Sequence, residues 1–295
     1  MEKSGSHTGR IVKALSGFYY VAPEGSDEVF QCRAKGIFRK KNLTPLVGDR
    51  VNFSLTGSDE VEGNVTEILP RKNELIRPRA ANIDQALVIF SVHTPEPELS
   101  LLDRFLIGME KQGIKVILIF NKEDLKEEEE ESLYRRIYAE AGVELKFTSA
   151  LFGTGVEDLR KLLQSKLTAV AGPSGAGKSS LINALSGSEK AATGELSKKI
   201  GRGKQTTRHT ELIGIGQDSY IIDTPGFSSL DLPKMDPEEL SDCFPEIRKY
   251  KGQCFYKDCS HLNEPGCAVR EKLDEGLIPQ ERYESYSLFY KELNR

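Results

Sequence analysis

At 295 residues the chain has room for two domains of ordinary size or three small ones, and its 38% hydrophobic and 29% charged content reads as soluble and globular. No apolar run approaches the ~18 residues of a membrane-spanning helix, and the N-terminus MEKSGSHTGR lacks the apolar core of a signal peptide. No membrane partner and a cytoplasmic location are therefore expected. A net charge of −4 makes no global case for nucleic acid. Residues 1–79, however, carry 13 Lys and Arg against 10 Asp and Glu, while the remainder carries 28 against 35, so a polyanion-binding face is expected near the N-terminus.

Residues 10–70 read as short strands broken by Gly and Pro: Arg10–Leu15, Phe18–Val21, Val29–Ala34, Asp49–Leu55 and Gly63–Ile68. Five strands in about 60 residues predict a small closed barrel of the OB type. Barrels of this kind bind nucleic acid through basic, aromatic-bearing faces. The candidates are Phe18, Tyr19, Tyr20, Lys35, Phe38, Arg39, Lys40 and Lys41. The competing reading makes the rings core and the lysines solvated. Arg71–Ala80 follows as a basic connector without periodicity, free to touch phosphates.

The pattern then becomes α/β. Gln85–Val92, Val116–Phe120, Val143–Phe147 and Leu167–Ala171 are buried-type strands alternating with helical spacing at Leu99–Gln112, after Glu127–Glu131, and at Val156–Leu163. Glu211–Ile215 and Ser219–Ile222 add two more strands. This alternation predicts a mostly parallel sheet with ligands at the strand C-terminal ends.

Four motifs sit at those ends. Gly172-Pro173-Ser174-Gly175-Ala176-Gly177-Lys178-Ser179 matches G-x-x-x-x-G-K-S between a strand and a helix, with Ser180 following. Backbone N–H groups of such a loop converge on phosphate, Lys178 would reach the β and γ phosphates, and Ser179 would ligate Mg²⁺. Asn121-Lys122-Glu123-Asp124 ends another strand. The Asp124 carboxylate can accept from both N1–H and N2 of guanine, a pair adenine does not offer; Asn121 would tie the loop to this strand, and the Lys122 stem would pack on the ring. Ser149-Ala150 would offer a backbone N–H to guanine O6. In Asp223-Thr224-Pro225-Gly226, Asp223 would hold Mg²⁺ through water and the Gly226 N–H would sense the γ-phosphate. Ser188–Arg208 has the composition of a switch; Thr206 or Thr207 is the candidate to reach Mg²⁺, with Thr207 set beside Ser179 as the magnesium pair. GTP and GDP are the implied ligands. The guanine motif precedes the phosphate loop, so the domain is circularly permuted, which the physics tolerates because strand ends must be adjacent in space, not in sequence.

Near the C-terminus, Cys254-x₄-Cys259-x-His261-x₅-Cys267 places three thiols and an imidazole within 14 residues, a set suited to a closed, structural Zn²⁺ site. Pro237–Cys243, Ala268–Gly276 and Pro279–Asn294 read as helices around it, with Tyr283, Tyr286, Phe289, Tyr290 and Leu293 forming a packing stripe. Cys32 and Cys243 read as buried small hydrophobes.

The motif order, with a barrel before it and a Cys₃His cluster after it, resembles the RsgA (YjeQ/YloQ) family of small-subunit-dependent GTPases over essentially the whole chain. The resemblance implies an OB-type domain at 1–72, a circularly permuted GTPase domain at 73–231 and a zinc-binding helical domain at 232–295, acting as a monomer. It implies late assembly work on the 30S subunit and its 16S rRNA, with GTP hydrolysis stimulated by that subunit, and zinc on Cys254, Cys259, His261 and Cys267. One departure stands out. Family members carry His just before the switch threonines, where this chain has Gln205, a residue type able to orient water in other GTPases. Gln205 and Lys178 are the catalytic candidates, with His209 as runner-up to Gln205. Phe227 follows D-T-P-G where many GTPases have Gln, so slow unstimulated turnover is expected. The alternative is a constitutive RNA-binding scaffold for which GTP is structural; Lys178, Ser179, the switch threonines and Asp223 argue against it.

Overall fold

The computed structural model describes residues 6–26, 28–36, 38, 43–56, 62–75, 79–187, 211–216, 218–223 and 231–294. The chain divides into two compact units. Met1–Gln85, Val156–Val170 and Ser179–Pro225 make the first; Ala86–Gly155, Ala171–Lys178 and Gly226–Arg295 make the second.

The barrel lies in the first unit. Strands β1 (Ser6–Leu15), β2 (Phe18–Pro23), β3 (Phe30–Ala34), β4 (Arg50–Leu55) and β5 (Gly63–Ile68) close in the order β1-β2-β3-β5-β4. β3 and β5 pair parallel while the other pairs are antiparallel. Alternation sends Ile11, Val21, Cys32, Val51, Phe53 and Val65 inward, each fully buried. Gly9 is required in β1 because a Cβ there would stand 2.6 Å from the Ala22 carbonyl oxygen.

Arg71–Ala80 is not a free connector. β6 (Glu74–Leu75) pairs antiparallel with β7 (Ala80–Ala81), burying Leu75 and both alanines. The Arg71 guanidinium donates to both carboxylate oxygens of fully buried Asp49 at 2.7 and 2.8 Å, to Glu74 at 2.7 Å and to the Thr44 carbonyl at 2.8 Å. A planar fork committed this way has little left for phosphate.

The α/β part follows, with strand neighbours in the order β10-β9-β8 in the second unit and β11-β13-β12 in the first. Its strands are β8 (Gln85–Ser91), β9 (Lys115–Asn121), β10 (Glu144–Thr148), β11 (Leu167–Ala171), β12 (Leu212–Gly216) and β13 (Ser219–Asp223). β10 pairs with β9, and β11 with β13, in parallel; β12 joins β13 antiparallel. The buried runs ALVIF, VILIF and LTAVA are the apolar strands expected of a sheet covered on both faces. Helices α1 (Leu99–Glu110), α2 (Glu130–Ile137), α3 (Val156–Leu163) and α4 (Lys178–Ser186) alternate with them. Glu130 and Glu131 open α2 while Arg135 and Arg136 close it, matching the helix dipole.

The C-terminal module belongs to the second unit. It contains α5 (Pro245–Arg248), α6 (Ala268–Asp274) and α7 (Gln280–Leu293), preceded by a 3-10 segment at Pro237–Cys243, where an α-helix is predicted. Leu240, Phe244, Ile247, Val269, Tyr286 and Phe289 form its core together with Ile107 of α1. Tyr283, Tyr290 and Leu293 pack against that core, as the stripe implies.

Arg282 of α7 is 1% exposed and sits between Asp103 of α1 and Glu246 of α5. It donates to Asp103 and, at 2.5 Å, to Glu246, and its guanidinium lies 4.6 Å from the Phe244 ring centroid. Burial opposes its charge, yet the two carboxylates outweigh burial and hold its pKa above the ordinary value. Removing one member of such a group leaves uncompensated charge in the interior. Arg282→Ala should lower stability by about 3–5 kcal/mol, read as a reduced urea midpoint; a loss below about 0.5 kcal/mol would show the triad to be energetically neutral.

Candidate nucleotide and metal sites

Both candidate sites are made by short loops whose residue types are dictated by close approach. At the end of β9, Asn121 is buried, and its side-chain amide serves three partners. Nδ2–H donates to the Ala176 carbonyl of the phosphate loop at 3.0 Å. Oδ1 accepts from the Thr148 hydroxyl at 3.1 Å and from the Ala150 N–H at 3.2 Å. One side chain thus joins the phosphate loop, the N-K-E-D strand and the Ser149-Ala150 turn. Only glycine fits opposite it: Gly177 has φ +87°, and a Cβ there would lie 2.3 Å from Asn121 Nδ2. Gly172 is constrained on the other flank, where a Cβ would stand 2.0 Å from the Ile89 carbonyl oxygen of β8.

The remaining motif residues distribute as follows. Asp124 is exposed, and one of its carboxylate oxygens accepts from the Ser149 hydroxyl. Lys122, in the left-handed region at φ +63°, donates from Nζ to the Thr94 carbonyl at 2.7 Å. Glu123 opens a 3-10 turn, Glu123–Leu125. Lys178 Nζ donates to the Gly172 and Pro173 carbonyls at 2.9 and 2.7 Å. Ala176 is buried, whereas Ser174, Gly175, Ser179 and Ser180 are exposed. In the first unit Asp223 ends β13, and its Oδ1 is buried without a hydrogen-bond partner among the described residues. A buried carboxylate oxygen with spare acceptor capacity suits a hydrated cation. Gln205, Thr206, Thr207, His209, Thr224, Pro225, Gly226 and Phe227 lie outside the described residues.

Two contributors escape a motif reading. Thr148 supplies the hydroxyl that orients Asn121, and the Thr94 carbonyl anchors Lys122. Thr148 is the last residue of β10 and Thr94 lies three residues beyond the end of β8, so placement after a strand is the signal the sequence offers for them.

The second site brings Cys254, Cys259, His261 and Cys267 together, with all four ligand atoms within 4.8 Å of one another. His261 Nδ1 is 3.5 Å from the Sγ atoms of both Cys254 and Cys267, which are 4.0 Å apart. A tetrahedral metal with ordinary zinc bond lengths needs sulfur–sulfur edges of about 3.8 Å and sulfur–nitrogen edges of about 3.6 Å. The donor set fits. Burial pushes the Cys259 thiol up to about 12 and lowers the His261 imidazole, so a cation here would have to displace thiol protons. Glu264, not anticipated from sequence, organises the loop. Its carboxylate accepts from the Ser260 N–H and hydroxyl at 2.8 and 2.5 Å, and from the Leu262 and Asn263 N–H groups at 3.1 Å each. Burial alone would raise its pKa, but these donors outweigh that and hold it down at about 2. Tyr283 and Tyr286 of α7 donate to the His261 and Ser260 carbonyls at 2.8 and 2.9 Å, bracing the loop from below.

Comparison with known proteins decides the family. The RsgA GTPase family model matches residues 68–233, and the RsgA N-terminal domain model matches residues 8–63. The chain belongs to the RsgA GTPase family. It is 48% identical to the "Small ribosomal subunit biogenesis GTPase RsgA" of Agathobacter rectalis, over 97% of this chain and 98% of that protein. The protein of the same name from Geobacillus kaustophilus is 46% identical, with 97% of each chain covered. Among solved structures, the circularly permuted GTPase YloQ matches with TM-score 0.80 and 40% identity, covering 98% of this chain and 96% of its own. YjeQ from Thermotoga maritima matches with TM-score 0.82 and 34% identity, covering 98% and 99%. GTP hydrolysis is the activity of this class.

Asn121→Ala removes the acceptor for two donors and the donor for one carbonyl at a buried position. The expected loss is about 1–3 kcal/mol in equilibrium denaturation of the nucleotide-free chain; an unchanged midpoint would mean that the loops hold together without it.

Proposed function

We propose that the chain is a GTP-hydrolysing switch in late maturation of the small ribosomal subunit, stimulated by that subunit. The observation that carries the reading is the Asn121 amide, which binds the guanine-type tetrapeptide to the phosphate loop despite their inverted order.

In this reading Asp124 accepts from guanine N1–H and N2, and the Ala150 N–H shares its hydrogen between Asn121 Oδ1, its partner in the nucleotide-free chain, and O6. Lys122 packs along the base. Residues Gly172–Ser180 wrap the phosphates, and Lys178 exchanges its bonds to Gly172 and Pro173 for the β and γ phosphates. Ser179, Thr207 and Asp223 would hold Mg²⁺, whose charge offsets that developing on the phosphates. Gln205 orients the attacking water, the Gly226 N–H senses the γ-phosphate, and Thr206 is the alternative to Thr207 at Mg²⁺. GTP then yields GDP and phosphate.

The flanking parts are assigned to RNA and to structure. On the barrel, Phe18, Tyr19, Arg33, Lys35 and Phe38 line a groove of about 710 Å³, in which the Arg33 guanidinium lies 4.8 Å from the Phe18 centroid. That combination of ring and cation supports 16S rRNA contact. Phe38 is buried and forms part of the wall, while Arg39, Lys40 and Lys41 lie outside the described residues. Zn²⁺ on the Cys₃His set is structural, with no open position implied. The division into 1–72, 73–231 and 232–295, the monomeric state and a cytoplasmic site of action complete the reading. Among the described residues no helix is long and apolar enough to cross a membrane. A scaffold with structural GTP would have no use for Lys178 and Asp223 at such positions.

Hydrolysis measured with and without purified small subunits tests this. Turnover alone should stay near about 10⁻⁴–10⁻² s⁻¹ and rise with subunits. Gln205→Ala should abolish most of the rise and His209→Ala little of it. Fast hydrolysis by the chain alone would contradict the reading. Zinc analysis should return about one equivalent, lost in Cys259→Ser together with near-ultraviolet signal from the module; a folded, zinc-free chain would contradict the metal assignment.

A further inference from the structure

The segment between the first two cluster cysteines carries an exposed aromatic pair. Phe255 is 80% exposed and Tyr256 49%, with ring centroids 5.0 Å apart in an edge-to-face arrangement at 82°. Neither is loose. The Phe255 N–H donates to the Gly266 carbonyl at 3.0 Å, and the flanking Cys254 and Cys259 belong to the four-ligand cluster. Gly266 has φ +67°, and a Cβ there would press the Phe255 Cβ at 3.0 Å. The chain is therefore built to hold this ring out rather than to fold it in, although burying a Phe contributes about 1.5–3 kcal/mol.

What surrounds the rings selects the kind of partner. Gly252, Gln253, Lys257, Asp258, Pro265 and Gly266 are all exposed, so the chain on either side of the pair is mostly small or polar and adds no second large apolar side chain of the kind found in the core of a protein interface. At 82° the two rings share no common plane, so a flat partner stacks on one exposed face, that of Phe255, and meets the other ring at its edge. Lys257 follows directly and makes no hydrogen bond or ion pair among the described residues. The nearby Lys249 and Lys251 are committed, to Glu140 at 3.3 Å and Asp242 at 2.9 Å. A free ammonium beside a presented aromatic is the pairing that binds phosphate and base together in single strands.

We propose that Phe255 and Tyr256 form a stacking platform for an unpaired RNA base, with Lys257 on the adjoining phosphate. The proposal deepens the ribosomal reading above and rests on it for the identity of the RNA.

The chain contains no Trp, so Phe255→Trp places a single reporter on the platform. A single-stranded oligoribonucleotide should quench its fluorescence, and a duplex of the same sequence should do so far less. Phe255→Ala with Tyr256→Ala should weaken oligonucleotide binding by about 5- to 150-fold, the range expected for one stacked base, with zinc content and GTP affinity unchanged. Phe255→Tyr should retain binding. An unquenched reporter in a chain that still binds small subunits would overturn the platform and leave the functional reading standing. Protection by intact subunits but not by protein-free 16S rRNA would also overturn it, in favour of a ribosomal protein as partner. Failure of the wild-type chain to bind subunits would overturn the functional reading, and the oligonucleotide result would then decide the platform by itself.

Discussion

The candidate nucleotide site depends on one buried amide. Asn121 has a donor and an acceptor, and each faces a different loop: Ala176 on one side, Thr148 and Ala150 on the other. Because the bonds reach across 55 and 29 residues, they are indifferent to which motif comes first in the chain. Circular permutation leaves such a hub untouched, provided the strand ends remain neighbours in the sheet. The glycine opposite is the complementary constraint, since any side chain at 177 would occupy the amide's place.

Permutation also changes what the site is attached to. The segment after β13 leads into the C-terminal module, whose core incorporates Ile107 of α1 and whose Arg282 is buried against Asp103 of the same helix. Arg104, next in that helix, pairs with Glu292 near the end of α7. The module is therefore held to the nucleotide-binding half by buried charge as well as apolar packing. Bonds of this kind are costly to break one partner at a time, which favours movement of the module with α1 as one body.

Much of this was legible in the residues. Period-two alternation and Gly or Pro breaks located the five barrel strands, and apolar runs located those of the sheet. The phosphate loop, N-K-E-D and the Cys₃His set are local patterns whose chemistry fixes their geometry. What escaped was set by distant partners. Arg71 reads as a free cation until Asp49, 22 residues upstream, supplies both its oxygens. Arg282 and Asp103 are 179 residues apart, and nothing local marks either as buried. Glu264 looks like a surface acid, yet four donors converge on it. Pro237–Cys243 carries helical spacing but winds as a 3-10 segment.

If Asn121 acts through the loops it joins, and Asp124 by reading the base, the two residues should separate in nucleotide affinity. GDP and IDP differ by the N2 amino group, from which Asp124 accepts a hydrogen bond in the proposed reading. Measuring both dissociation constants for wild type, Asp124→Ala and Asn121→Ala tests the account most directly. Asp124→Ala should erase the preference for GDP. Asn121→Ala should weaken both ligands by the same factor and keep their ratio. Loss of the ratio in Asn121→Ala, with IDP affinity unchanged, would contradict the role of that amide as the link between base and phosphate.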